Sequence, residues 1–483
     1  MKKFWKYFLI LILLLSGLFC VGLLYLFFVP NSSMFGITYI SYSGKYISNY
    51  YSKSSVQSIE LNSLNYDIVL STSSSDNVYA LVHAKSFGYV LKENSQVKVK
   101  SELIAGTLKI NITEPHGLAF KNDSVIELKL PKEFVPNLKI TNNKAKTTID
   151  NKDVTIQNLT YITNAGELNF NSGSVAGEMT LKLNKAKFNL GSNVNTTETI
   201  ANIELTSGQF NASTHSFNTI NVLDNTNGLI SVKSCTSFNS QAKSAGGKFS
   251  IGHASNVTIE SSDTNVEIGQ LDGGSIKLTE SGKITINKVN GMVLLQTNSG
   301  SITVNNATSS FTTISENGDQ LIKKATKQIT SESKYGNINI SFDSTAGDYN
   351  SSEQYPSRSV IATTKNGKIT LTGVDNIRIA IIENGTGRAD IKMRKVLGEN
   401  IVDAQRGSVS IKVPQTEIYR LLTESTADGS VYVNVGQFAV NGYTEKSRQE
   451  NLISATAGVQ ETENRLVVTT TSGSLKVLDS LMA

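Results

Sequence analysis

The chain has 483 residues, room for a large core or several domains, with 45 basic against 40 acidic side chains and a formal net charge of +5. Charge this close to balance gives no electrostatic case for nucleic acid as a partner. Six prolines, one tryptophan and 36 glycines describe a chain in which glycine is placed rather than abundant.

Residues 1–6 read as a short cytoplasmic tail carrying Lys2, Lys3 and Lys6. Residues 7–29 are 23 positions without a charge, enough for a transmembrane helix, which needs about 20. Lys45 is the first positive charge beyond it, so the positive-inside rule puts the N-terminus in the cytoplasm and the body outside the cell membrane. A cleaved signal peptide is the rival reading, but its apolar region usually runs about 7 to 15 residues and ends at small residues. Phe27-Phe28-Val29-Pro30 offers no such pair, and Phe19 before Cys20 argues against a lipid-modified cysteine. A retained single-pass anchor is expected. Residues 30–55 then read as a juxtamembrane stalk. Tyr39, Tyr42, Tyr46 and Tyr50 step by three and four, which fits one helix face, while Thr38 to Tyr42 fits an extended stretch equally well.

Residues 56–143 form an N-terminal β region, with alternating runs at Val56–Leu61, Asp67–Ser71, Gly106–Ile110 and Val125–Pro131. From 144 to 435 a turn of Asn, Ser, Thr or Lys runs into a glycine and a short alternating strand comes next. The clearest copies are Ser281-Gly282-Lys283-Ile284-Thr285-Ile286 and Ser299-Gly300-Ser301-Ile302-Thr303-Val304. The marks Gly282, Gly300, Gly318 and Gly336 succeed one another at steps of 18, and most others at 17 to 22. Self-similarity at this period signals an all-β solenoid in which each rung buries its apolar face against the next. Apolar residues two and four places after the mark, such as Val409 and Ile411, point to one strand face. Each rung is expected to hold two or three strands, and some fifteen rungs at about 4.8 Å would make a rod of roughly 70 Å. Asp319-Gln320-Leu321-Ile322 after Gly318 breaks the pattern. Glycine at the mark suits a corner needing positive φ. The column two places before it (Asn143, Asn164, Asn184, Thr206, Thr226, Ser262, Glu280, Asn298, Glu316) is polar and suited to rung-to-rung hydrogen bonds. Two long steps mark insertion loops at 344–359 and 442–464, the expected contact points. Residues 436–483 read as C-terminal capping strands and loop.

The chemistry-bearing residues are sparse. Cys20 lies in the apolar run and Cys235 in the repeats, so no disulfide is expected. Glu280 and Glu316 share a column two rungs apart, roughly 10 Å, too far for a retaining carboxylate pair at about 5 Å and marginal for an inverting one, so they read as polar turn residues facing water. His83, His116, His215 and His253 are scattered, and the last two sit about two rungs apart, too far for shared zinc ligation. Asp272-Gly273-Gly274 lacks the continuation of a calcium repeat. No catalytic, cofactor-binding or metal residue is assigned, and no cofactor is expected.

The strand ending Leu128-Lys129-Leu130-Pro131 ahead of repeated Ser-Gly and Asn-Gly units, a second step at Ile411-Lys412-Val413-Pro414, and the closing Arg465–Leu475 run together resemble the bacterial putative adhesin family. The likeness spans about residues 56–480 and implies an extracytoplasmic toastrack-like β domain of unknown function at the cell envelope, with no catalytic residues. The function expected is an adhesin-like interaction or structural role, binding cell-envelope polymer or another surface protein. The alternative is a β-helical carbohydrate-active enzyme, lyase or hydrolase, by analogy of fold alone.

Overall fold

The computed structural model describes residues 2–28, 33–34, 37–91, 96–115, 117–241, 246–344, 358–381, 386–417, 419–425, 430–434, 444–449, 452–457 and 462–480. The chain divides into two compact units, Met1–Asn218 and Thr219–Ala483. The fold class is a mostly β solenoid of about 13 turns with one N-terminal apolar helix.

The first unit opens with the helix Lys2–Phe28, whose 19-residue stretch Phe4–Gly22 is long and apolar enough to cross a membrane. Sheet, not a free stalk, occupies much of 30–55. Ile37–Ile47 is a strand paired antiparallel with Asn77–Leu91, from Ile37 against Leu91 to Ile47 against Leu81. Thr38 and Ile40 are buried on its inner side, so a period of two governs here rather than the three-and-four spacing of the tyrosines. The Tyr39 and Tyr89 rings lie 5.2 Å apart across this pair.

Lys98–Ile104 and Gly117–Asn122 are also antiparallel, on Thr107–Thr113 and Asn77–Leu91, and two parallel ladders make up most of the remainder. One runs through Thr107–Thr113, Ser58–Asn62, Asn137–Asn142, Asn158–Thr163, Glu178–Asn184 and Ile200–Thr206. The other runs through Val125–Pro131, Asp67–Ser73, Lys146–Ile156, Glu167–Val175 and Lys187–Asn195. The strands of 58–62 and 67–73 thus lie between later strands, and Ile59, Leu61, Ile68 and Leu70 are all buried. Glu114, buried itself, accepts hydrogen bonds from the Leu64 and Asn65 amides at 2.7 and 2.6 Å and from the Ser63 hydroxyl, closing the turn between these two strands.

In the second unit each regular rung has two strands. A first sheet runs through Asn265–Leu271, Ile284–Val289, Ile302–Ala307, Gln320–Ala325, Ile338–Phe342, Lys368–Val374, Arg388–Met393 and Ser408–Pro414. A second runs through Gly274–Leu278, Val293–Thr297, Phe311–Ser315, Ile329–Ser333, Ser359–Thr364, Asn376–Ile381 and Glu399–Ala404. Alternation decides the faces: Ile284 and Ile286 point in and are buried, while Thr285 between them is not. The closing strands are interposed. Arg465–Thr470 lies between Glu399–Ala404 and Tyr419–Ser425, and Ser474–Ser480 between Ser408–Pro414 and Ser430–Asn434. Part of the expected loop 442–464 is strand. Thr444–Gln449 and Leu452–Ala457 pair antiparallel, and the latter pairs with Tyr419–Ser425. Residues 345–357 of the other loop lie outside the described residues.

The glycine marks have a different cause from the one expected. Among the described marks only Gly247 and Gly282 have φ in the left-handed region. What excludes a side chain elsewhere is the rung before. A Cβ at Gly300 would fall inside the carbonyl oxygen of Gly282, one at Gly318 inside that of Gly300, and one at Gly336 inside that of Gly318. Glycine therefore permits close backbone stacking at the corner. At five of the marks a buried Thr or Asn three places before closes the turn with its side chain. The Gly166, Gly300, Gly367 and Gly473 amides donate to Thr163, Thr297, Thr364 and Thr470 at 2.8 to 3.0 Å, and Gly228 donates to Asn225 at 3.1 Å. This Thr-x-x-Gly turn satisfies a buried donor at each such corner.

The irregular rung after Gly318 is intact. Gln320 takes the inward place held by Ile302 before it and Ile338 after it, and is buried. Its amide oxygen accepts from Thr313 at 2.5 Å and from Ser331, and its amide nitrogen donates to Ser315 at 2.8 Å and to the Glu332 carbonyl at 2.6 Å. The facing strands supply polar partners there, so a buried amide is fully satisfied.

Candidate functional site

The sequence singles out a corner column, and the structure builds it. The Glu280 amide donates to the Ser262 carbonyl, Ser299 to Glu280, and Glu316 and Asn317 to Asn298, so Glu280, Asn298 and Glu316 stack on successive rungs as their spacing implies. Glu280 is exposed, and Glu316 is held by Lys334 Nζ of the next rung at 2.8 Å. Lys334 also lies 5.2 Å over the exposed Tyr335 ring. The same rung-to-rung bonding occurs at Asn164 Nδ2, which donates to Asn143 Oδ1 at 3.0 Å. These contacts are solvated ion pairs and amide ladders, whose individual contribution is small.

The histidines are dispersed. His83 Nε2 is 3.9 Å from Glu127 Oε2 on the neighbouring strand, and Lys129 Nζ holds the same carboxylate at 3.0 Å. His215 is buried in the first unit, its Nδ1 3.0 Å from the Thr214 hydroxyl. His116 lies outside the described residues. His253, in the second unit, meets Asp272 of the next rung at 2.8 Å. Gln270 and Asn290 donate to the other Asp272 oxygen at 3.1 and 2.9 Å, and Thr308 donates to Asn290 at 3.0 Å. Burial pushes the Asp272 carboxyl up, but the hydrogen bonds from His253, Asn290 and Gln270 outweigh it and hold the group below the usual carboxylate range. The turn Asp272-Gly273-Gly274 is thus a corner fixed by a four-rung polar chain. Among the described residues no group of three or more His, Cys, Asp or Glu is placed to hold a metal ion.

Cys20 is exposed on the helix and Cys235 is buried, with burial pushing its thiol up to about 12. A thiol so poised stays protonated and is a poor nucleophile. One charged cluster escapes a reading of the sequence alone. Asp375, fully buried, receives Arg394 through Nε at 2.9 Å and Nη2 at 2.5 Å, and the buried Arg358 donates to the Asp343 carbonyl at 3.0 Å. Glu417 accepts the Val396 amide at 2.8 Å, and burial raises its carboxyl above the ordinary range. The only signal is spacing: Asp375 and Arg394 stand 19 residues apart, one rung. A bidentate pair of this kind ties the corner at Asp375 to that of the next rung at Arg394, and the Asp375 amide donates to the Arg358 carbonyl of the rung before at 3.0 Å. The described surface otherwise offers shallow depressions. One of about 400 Å³ lies over Met292, Leu294, Thr312 and Thr330, and another of about 380 Å³ lies over Glu60, Lys139 and Thr160.

Comparison with known proteins places this geometry. The family Toastrack DUF4097 matches residues 56–341, more than half of the chain. No curated protein matches. Among solved structures, a crystal structure of a putative cell adhesion protein from Clostridium sporogenes aligns over 91% of this chain and 100% of its own. Its identity is 7% and its TM-score 0.19, a likeness that carries no argument. The match begins at Val56, where the alternating runs begin, and the ladder pattern continues past its end to Ser480. The chain belongs to the toastrack DUF4097 family.

Proposed function

We propose that this chain is a single-pass membrane protein with a cytoplasmic N-terminus and an extracytoplasmic β body that binds cell-envelope polymer or another surface protein rather than catalysing a reaction. The observation that carries the reading is the join between the apolar helix Lys2–Phe28, with Lys2, Lys3 and Lys6 at its start, and a toastrack body beginning at Val56. Positive charge on one side of a spanning helix favours the orientation given. The body supports an interaction role because its outward side chains are mostly Thr, Ser, Asn and Lys held rigidly on a ladder. Many weak hydrogen bonds on such a scaffold act together without a further loss of backbone freedom on binding.

The test has two parts. Protease added to intact cells should degrade the body and leave the helix protected, whereas an inward-facing body would survive. The full chain, purified in detergent and mixed with isolated cell envelopes, should co-sediment saturably. Absence of any envelope binding would refute the interaction role.

A further inference from the structure

We propose that the outward face of Lys368–Val374, Arg388–Met393, Ser408–Pro414 and Ser474–Ser480 is a docking surface for a polyanionic, phosphodiester-linked polymer of the cell envelope. This rests on the envelope-polymer reading above and names the chemistry and place of the contact. The alternation of these strands sends Lys368, Arg388, Asp390, Lys392, Lys412 and Lys476 outward. Five are cations and one is a carboxylate. Asp390 is already shared by Lys368 Nζ and Arg388 Nε, each at 3.0 Å. Lys392, Lys412 and Lys476 make no ion pair with a described carboxylate, and the register sets Lys392 directly against Lys412.

The second sheet gives the contrast. On Asn376–Ile381, Glu399–Ala404, Arg465–Thr470 and Tyr419–Ser425 the outward charges are Arg378, Arg420 and Arg465 against Glu399, Asp403 and Glu424. They balance, and Glu399 pairs with both Arg378 and Arg465, at 4.0 and 3.5 Å. The excess on the first sheet is therefore local to one face. Like charges directly opposed on neighbouring strands cost stability, a cost that an anionic partner reverses.

The form of the face selects the partner. Each of the four strands carries at least one outward cation: Lys368 stands against Arg388, Lys392 against Lys412, and Lys476 against Ser410. Cations spread over successive strands about 4.8 Å apart suit a chain of repeated anions rather than a single one. Backbone amides inside the ladder are committed to their neighbours, so recognition falls to side chains. Between the cations stand Thr370, Thr372, Ser408 and Ser410, which can donate to phosphate oxygens. A membrane surface is the poorer fit. Among the described residues of the four strands the outward apolar side chains come to Leu478, half-buried, with the exposed Tyr432 beside Lys476 on the neighbouring strand, too few to enter the headgroup boundary as a face.

The test uses the full chain in detergent and fluorescently labelled long-chain inorganic polyphosphate as the probe, read by anisotropy across a salt series. The parent should bind, with an affinity that falls as salt rises. The triple variant Lys392→Gln, Lys412→Gln, Lys476→Gln should bind at least about tenfold more weakly, with a salt slope shallower by about two. The same three positions changed Lys→Arg should keep binding, since charge is retained. The variant Arg378→Gln, Arg420→Gln, on the other sheet, should match the parent. Far-UV circular dichroism confirms that each variant is folded. The inference is overturned if the parent does not bind polyphosphate, if both glutamine variants lose binding equally, or if phosphatidylserine in mixed micelles with the same detergent outcompetes the polymer at equal charge. Envelope co-sedimentation separates the two readings. If the triple glutamine variant still sediments fully, this face is wrong and the interaction role stands, whereas a parent that never sediments removes both.

Discussion

Gly300→Ala tests why glycine marks the corners. Were backbone conformation the reason, the substitution would be benign, because φ at Gly300 is outside the left-handed region. Loss of unfolded-state freedom would then stabilise the protein by about 0.4–1 kcal/mol. The structure predicts the opposite sign. The new Cβ falls inside the Gly282 carbonyl oxygen, and that oxygen is backbone in a packed ladder, which cannot swing aside as a side-chain end could. Relief requires prising two rungs apart at the corner. Overpacking of this kind costs about 1–3 kcal/mol, and weakening the Gly300 amide bond to Thr297 adds about 1 kcal/mol. Offsetting the entropic gain leaves a net loss of about 1–3.5 kcal/mol. Gly387→Ala is the graded control, since its Cβ would meet the Gly367 oxygen at 2.9 Å, a milder contact. The measurement is the urea midpoint of the full chain by far-UV circular dichroism, read as a midpoint because repeat arrays depart from two-state behaviour. A Gly300→Ala midpoint equal to or above the parent's, or one above that of Gly387→Ala, refutes rung stacking as the cause.

Other residues give further tests. Ile302→Asp places an unpaired charge at a fully buried position and should unfold neighbouring rungs, lost as protease resistance and circular dichroism signal. Gln320→Leu should lower the denaturation midpoint by the equivalent of about 1–3 kcal/mol, because Thr313, Ser315 and Ser331 lose their amide partner, and adding Thr313→Val and Ser331→Val should recover part of the loss. Cys235, in a Cys20→Ser background, should resist maleimide in the folded protein and react once denatured, since burial keeps the thiol protonated. Asp272 has a depressed folded pKa, so its stabilising contribution is present above the ordinary carboxylate range and lost as pH falls through the folded value. The Asp272→Asn variant should therefore show a flatter fall in thermal midpoint below about pH 4.

How much of this is legible in the sequence depends on the range of the cause. Alternation and a period of 18 are local, so the solenoid class and the stacking of Glu280, Asn298 and Glu316 can be read directly. The tyrosines of 39–50 leave helix and strand both open, because a strand whose partner lies at 81–91 leaves no local trace of its register. The interposed strands 58–62 and 465–470 are hidden for the same reason, since spacing along the chain orders rungs only when neighbours in sequence are neighbours in space. Gln320 looks like a break because an inward polar residue violates the pattern of its own strand. Its justification stands on the facing strands, at Thr313 and Ser331. The Thr-x-x-Gly turn is present in the letters, at Thr163, Thr297, Thr364 and Thr470, but it is less conspicuous than the exposed column one place nearer the glycine.

Charge shows most plainly why a whole-chain quantity misleads in a repeat protein. A net charge of +5 over 483 residues averages faces that point in different directions. In a solenoid, residues two apart share a face and residues one rung apart share a column, so the electrostatic unit is the face, not the chain. Summed that way, the outward strands from Lys368 to Lys476 carry five cations to one anion, while the opposite strands balance. Screening within about 8–10 Å lets a partner on one face respond to that face alone. A balanced composition therefore argues against strong binding to polyanions only for a protein whose charges are mixed over its surface. In this one the rung register sorts them.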